Sequence, residues 1–315
     1  MAFVASGGGV YRHEVSFEGG IDVAEGKEAM LKPTTVHDGR TTRLTHITHR
    51  AEIQSLALYD PLGSAGVLYG QTVGGGGGGG GADADVLDAP PADDRIRLAS
   101  VDAAGRGLIT TLARDWTSDA DMAASDSSPQ YTLEPFEPGG VVSSMPGWAG
   151  VCFNHSAPNT VAVARHFAKT LDVFDGDRRV RTMHTLLNPY AVTFVPANSK
   201  SSGSKSGGGS KSGEGGGPGE GLLAVAEGNQ LSLWDVRQSE RGGCVRRMTL
   251  SNRGQPLYTI AAGTSHGAEG GGGVQISKMR GGEPIIAAAG AERGVHVLDA
   301  DRWSVVKRWP TAIKP

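Results

Sequence analysis

Three short apolar segments recur in the same order along this chain, and their spacing leaves few architectures open. Val161–Ala164 is followed by Thr170-Leu-Asp-Val-Phe-Asp175 and then by Val180–Leu186. The order repeats as Leu222–Ala226, Leu231-Ser-Leu-Trp-Asp235 and Cys244–Leu250, and again as Ile285–Ala289, Val295-His-Val-Leu-Asp299 and Val305–Trp309. Each middle segment alternates apolar and polar residues and ends in an aspartate. A period of two is what a sheet with unlike faces requires. No stretch of comparable length carries a 3.6-residue apolar stripe, so the fold class expected is all-β with few helices.

With Ile96–Asp102 taken as a weaker copy, the middle segments end at Asp102, Asp175, Asp235 and Asp299, separated by 73, 60 and 64 residues. The intervals are uneven because they contain sequence of another kind. Residues 116–146 read as a long polar loop with one short strand at Tyr131–Leu133, while 199–220 and 263–282 are Gly-rich tracts. Without these stretches the separations become 42, 38 and 44 residues. A period near 40 with three or four strands per unit belongs to β-propeller blades. Units fit 51–115, 148–187, 190–250 and 257–310, and Phe3–Val15 reads as two strands of a fifth. Residues 1–315 are therefore expected to form a single propeller domain of about five detectable blades, its ring incomplete. Glycine fills 49 of the 315 positions, concentrated in 74–94, 199–220 and 263–282. Such inserts bury too little apolar area to offset backbone entropy and are expected to be disordered.

The middle segments resemble the third strand of the WD-repeat (transducin-like) family, of the plant and algal type to which no activity is assigned. Leu231-Ser-Leu-Trp234-Asp235 carries the Trp-Asp pair itself. Phe174 and Leu298 take the Trp place before Asp175 and Asp299, and these four residues, with Trp234, are expected to be structural. The chain lacks the Gly-His pair that usually opens such a repeat. The resemblance therefore implies blades held by packing, without the family's His–Ser/Thr–Asp–Trp hydrogen-bond network. Trp234-Asp235-Val236-Arg237 also resembles the Trp-Asp-x-Arg element of substrate receptors of a cullin-type ubiquitin ligase, which makes Asp235 and Arg237 the candidate partner-binding residues.

Other motifs lead nowhere firm. Gly263-Thr-Ser265-His-Gly267 matches the G-x-S-x-G elbow of serine hydrolases, but the glycines that follow cannot start the required helix. The run 74–81 matches a dinucleotide fingerprint without a helix, and Gly26-Lys27 is followed by Glu28 and not by the Ser or Thr of a P-loop. His37, His46, His49 and Glu52 crowd one region, yet His46 and His49 point to opposite faces of an extended strand, so no metal is expected. Cys152 and Cys244 fall in separate strands and read as core or half-buried residues, too few for a disulfide framework. Arg181, Arg246, Arg247, Lys307 and Arg308 lie on outer strands, where cations discourage edge-to-edge aggregation and could also form a partner stripe.

With 30 Lys+Arg against 33 Asp+Glu the net charge is -3, which gives no electrostatic case for nucleic acid or an anionic membrane. No apolar run approaches the length of a membrane span, and the first residues have no basic stretch of a secretion signal. The expectation is an intracellular, cytoplasmic or nuclear, non-enzymatic scaffold that binds other proteins and needs no cofactor or small-molecule substrate. A ubiquitin-ligase substrate receptor is the first alternative, and a hydrolase using Ser265 a distant one.

Overall fold

The computed structural model describes residues 2–18, 35–61, 95–113, 131–135, 146–196, 221–238, 243–251, 254–264 and 283–310. Every element among them is a strand, and the strands form five antiparallel sheets. The first sheet holds β1 (Ala2–Ser6), β2 (Gly9–Glu18) and β3 (Thr35–Thr48). The second holds β4 (Ile53–Tyr59), β5 (Arg95–Asp102), β6 (Gly107–Ala113) and β7 (Tyr131–Leu133). The third is β8 (Ala149–Asn154), β9 (Ala157–Arg165), β10 (Thr170–Asp175) and β11 (Arg178–His184). The fourth is β12 (Pro189–Phe194), β13 (Leu222–Glu227), β14 (Gln230–Asp235) and β15 (Cys244–Thr249). The fifth is β16 (Leu257–Thr264), β17 (Pro284–Gly290), β18 (Gly294–Asp299) and β19 (Ser304–Pro310).

Each sheet pairs its strands in chain order, as a meander, and the sheets stack as propeller blades. Inner strands neighbour one another in turn: β4 beside β8, β8 beside β12, β12 beside β16. One apolar core fills each gap between successive blades. Trp234 lies buried between the third and fourth blades with Met183, Val192 and Leu223. Phe174 holds the corresponding place between the second and third, and Leu298 between the fourth and fifth. Backbones approach closely at the inner strands, and a Cβ on Gly150 of β8 would fall 3.1 Å from the Ala191 Cα of β12. No packing of that extent returns from β16 to β1, so the ring is open among the described residues.

The middle segments Asp175, Asp235 and Asp299 end the third strands of their blades, but Asp102 ends a second strand. Its place in the repeat is therefore one strand out, and the agreement of the first interval with the other two is fortuitous. Ile96–Asp102 misled because strand length and apolar content are alike in neighbouring strands of one blade. The N-terminal unit has a third strand, β3, beyond the two expected. Gly263 and Thr264 are the end of β16, paired with Ile285 and Pro284, and not the start of an insert. The inserts 74–94 and 199–220, the rest of 263–282, and Ser265 lie outside the described residues.

Two ends of the blades can be told apart. The turns between second and third strands and the connections from blade to blade share one face, here called upper. Connections from first to second and third to fourth strands share the lower face. The connections β4–β5, β6–β7, β12–β13 and β16–β17, which contain the Gly-rich and polar inserts, all attach at the lower ends of their strands. The outer cations are not simply solvated. Arg181 of β11 donates to the Gln238 carbonyl in the next blade, and Arg246 of β15 donates to the Asp301 carbonyl in the one after, at 3.5 Å. Arg308 pairs with Glu292 at 2.8 Å, and the Arg247 guanidinium lies 5.7 Å from the centre of the Trp234 ring. No described helix is long and apolar enough to cross a membrane.

Candidate functional site

In the second and fourth blades the upper face is tied down by polar clamps where the second strand ends. In the second blade His49, from the connection that enters β4, places Nδ1 3.2 Å from Asp102 Oδ2 and Nε2 2.8 Å from Ser100 Oγ. Asp102 Oδ1 accepts the amides of Ala104 and Arg106, each at 3.0 Å. Burial alone would raise the Asp102 pKa; the hydrogen bonds from His49, Arg106 and Ala104 outweigh it and hold the carboxyl below its usual range. These blades were expected to be held by packing alone, and here a His–Ser–Asp network is present without its glycine. Thr48 stands before His49, which is why the pair was invisible as a motif.

The order Asp–His–Ser is also that of a nucleophilic triad. Ser100 is only 1% exposed, inside the middle of a sheet, and an attacking hydroxyl needs open space about 3 Å away for the reacting carbon. The three residues act as a clamp. Sequence reasoning grouped His49 with His46 as metal candidates; the structure gives His49 to Asp102 and Ser100, and no metal-holding group of three or more such side chains occurs among the described residues.

The residue corresponding to Asp102 is Arg165 in the third blade and Glu227 in the fourth, since these pair with the first residues of β8 and β12 as Asp102 pairs with Ile53. Arg165 turns inward to Asp172 at 3.4 Å and Thr170 at 3.2 Å. Fully buried Glu227 accepts from Trp234 Nε1 at 3.0 Å, from the Ser232 hydroxyl and from the Leu187 amide at 3.3 Å. In the fifth blade Gly290 takes the place, because any Cβ would fall 2.1 Å from the Pro256 carbonyl oxygen.

On this rigid face, aromatic side chains from three blades meet. Trp148 precedes β8, Tyr190 lies in β12 and Tyr258 in β16, each at the upper end of an inner strand. Trp148 and Tyr258 stack with centroids 5.5 Å apart, and Tyr190 stands edge-on to both, at 5.9 and 5.4 Å. His166 and Phe167, in the turn between β9 and β10, continue the cluster, His166 lying 4.4 Å from Tyr190 and 4.8 Å from Phe167. Burial lowers the His166 pKa against the pull of the Pro189 carbonyl, so the ring is neutral near pH 7 and accepts from Asn188 Nδ2 at 3.0 Å. Burial, with Tyr258 beside it, raises the Tyr190 phenol.

Beside Trp148 lies a small depression lined by Trp148, Arg165, His166 and Phe167 and by the Ala and Gly residues at 103–105, 147, 149 and 168. Trp148 is 50% exposed, Phe167 53% and Tyr258 41%, while Phe153, Phe174, Phe194, Trp234 and Trp303 are buried. Exposed aromatic rings on a rigid support suit contact with an apolar group. Sequence reasoning singled out none of these five residues. They come from positions 148, 166, 167, 190 and 258, and nothing local links them.

The residues it did select lie at the other end. Asp235 and Arg237 are on the lower face, where Arg237 Nε and Nη2 grip the Asp235 carboxylate at 2.9 and 3.1 Å. The hydrogen bond from Arg237, against the opposing effect of burial, lowers the Asp235 pKa. Asp235 and Asp299 also cap their own turns, accepting the amides of Arg237 and of Asp301 and Arg302, all at 2.9 Å, whereas Asp175 is exposed. Cys152 is buried and its thiol pushed up to about 12 by desolvation, while Cys244 is half-buried. Neither is suited to thiolate chemistry near neutral pH. No family model and no curated protein matches the chain.

Proposed function

We propose that the chain is a WD-repeat-type propeller that acts as a non-enzymatic scaffold, seating a partner protein on the aromatic depression of its upper face. The observation that carries this reading is the half-exposure of Trp148 and Phe167 on a face otherwise closed by tight turns and clamps. Aromatic anchors on rigid supports dominate the energetics of protein interfaces. Arg165 and Phe167 already fill the space over Gly105 and Gly147, so the partner packs against the exposed rings and does not enter the depression.

Affinity purification of the full chain with quantitative mass spectrometry tests the reading. Trp148→Ala is expected to lose the specific partners while leaving the urea midpoint nearly unchanged. Partners retained in full by both Trp148→Ala and Phe167→Ala would refute it. The ubiquitin-ligase alternative draws on Arg237, whose side chain is half-exposed at the lower rim. Cullin and adaptor peptides that disappear with Arg237→Ala and persist with Trp148→Ala would favour that alternative.

A further inference from the structure

The rings that meet on the upper face carry hydrogen-bond donors that the protein leaves unused. Among the described residues, none accepts from Trp148 Nε1 or from the hydroxyls of Tyr190 and Tyr258. In the fourth blade, by contrast, Trp234 Nε1 donates to Glu227 at 3.0 Å and to Ser232 at 2.8 Å. An indole N–H can only donate, and a phenol donates readily. The three rings stand at the upper ends of successive inner strands that pack on one another, β8 on β12 and β12 on β16. The donors are therefore held in place by whole sheets.

The shape of the cluster restricts a ligand as much as its chemistry does. Trp148 and Tyr258 lie nearly parallel, at 19°, and Tyr190 stands at 70° to one and 80° to the other. No long side chain can be inserted beside them. A Cβ on Gly147 would fall 2.4 Å from the Phe167 ring, and one on Gly105 would fall 2.2 Å from the Arg165 side chain. A ligand must lie across exposed ring surface and accept hydrogen bonds while it does so.

Few ligands meet both demands. An α-helix uses most of its carbonyls internally, and a β-strand turns its own toward a sheet edge. A cation would meet the hydrogen ends of these N–H and O–H dipoles, over ring faces already turned to each other. A polyproline II segment has no internal hydrogen bonds, so its carbonyls are free to accept. Proline adds a compact apolar ring and has no N–H that would need an acceptor from the site. We propose, on the reading of this face as the partner site, that its occupant is a proline-rich segment of the partner in the polyproline II conformation. Its rings pack on Trp148, Phe167 and Tyr258, and its carbonyls accept from Trp148 Nε1 and the two phenols. Aromatic surfaces recognise such segments because the extended conformation is already formed before binding.

The probe is fluorescein-labelled decaproline, titrated against the full chain beside a Gly-Ser decamer of equal length. Saturable binding of decaproline is expected, with the Gly-Ser peptide weaker by about tenfold or more. Trp148→Phe keeps a ring and removes its donor, and a loss of about tenfold is expected. Tyr190→Phe combined with Tyr258→Phe is expected to lose affinity to a similar degree. The Trp148 indole N–H resonance, identified by its absence from Trp148→Phe, is expected to move as decaproline binds. If a ring variant lowers the urea midpoint, the comparison of the two peptides on the unaltered chain decides. The chain holds prolines of its own at Pro90, Pro91, Pro135 and Pro138. Decaproline binding that emerges only after these four are changed to Ala would mean the rings are covered from within, and would overturn a partner as the occupant. Absence of decaproline binding, equal binding of the two peptides, or full affinity in both ring variants would also overturn the proposal. Partners still lost with Trp148→Ala after such a result would leave the upper-face reading standing and remove only the proline-rich segment.

Discussion

The second and fourth blades solve one problem with different residues. Each must fasten the end of its second strand to the connection that enters the blade, because that junction forms the upper face. The second blade does so with Asp102, reached by the His49 side chain, with Ser100 behind it. The fourth uses Glu227, reached by the Leu187 amide, with Ser232 and Trp234 behind it. In one case the connection supplies a side chain; in the other it supplies a backbone amide, and the third strand adds Trp234, whose ring also fills the gap between blades. What these two blades share is a carboxylate at that strand end with its acceptors satisfied, since an unpaired buried carboxylate is far more costly than any particular partner is beneficial. The identity of the donors is free to vary, and with it any motif built on them.

The comparison can be broken most sharply at Trp234. Trp234→Ala removes a core ring and a donor to buried Glu227, and is expected to cost about 3–5 kcal/mol in urea unfolding. A midpoint that scarcely moves would mean the fourth blade does not depend on its clamp. His49→Ala leaves buried Asp102 and Ser100 each short of a partner but opens little core volume, so about 1–3 kcal/mol is expected by the same measurement. A cost equal to that of Trp234→Ala would erase the distinction between the two clamps.

The clamps should also differ in acid. The Asp102 pKa lies below its unfolded value, so its stabilisation is complete above the unfolded pKa of about 3.9 and is lost as pH falls through the lower folded value. Asp102→Asn should therefore lower stability at neutral pH and flatten its decline below about pH 4, where protonation of the wild-type carboxyl already removes the advantage. A decline of unchanged steepness would show that Asp102 does not contribute to acid unfolding. The smallest effect is expected at the lower rim. Arg237→Ala loses an ion pair whose cation is half in solvent, and should cost less than about 1 kcal/mol. A larger loss would place Asp235 among the true clamps.

Much of this architecture was legible in the chain. The two-residue period and the aspartate at the end of each middle segment located the blades from 148 onward, and the Trp-Asp pair marked a strand that lies between two cores. Where the signal rested on one strand resembling another, it slipped. Ile96–Asp102 has the length and pattern of a third strand and is a second strand. The candidate at Arg237 came from a four-residue likeness, and its guanidinium is turned onto its own Asp235.

Alternation, turn residues and segment length act over a few neighbours, so the sequence alone determined that the chain is all-β, repeated and interrupted at particular junctions. The tertiary structure decided what joins residues far apart in the chain: His49 with Asp102, and the meeting of Trp148, Tyr190 and Tyr258. A hydrogen bond or a ring contact between blades depends on how two sheets are placed against each other, and that placement is fixed by whole buried faces rather than by any short run of residues.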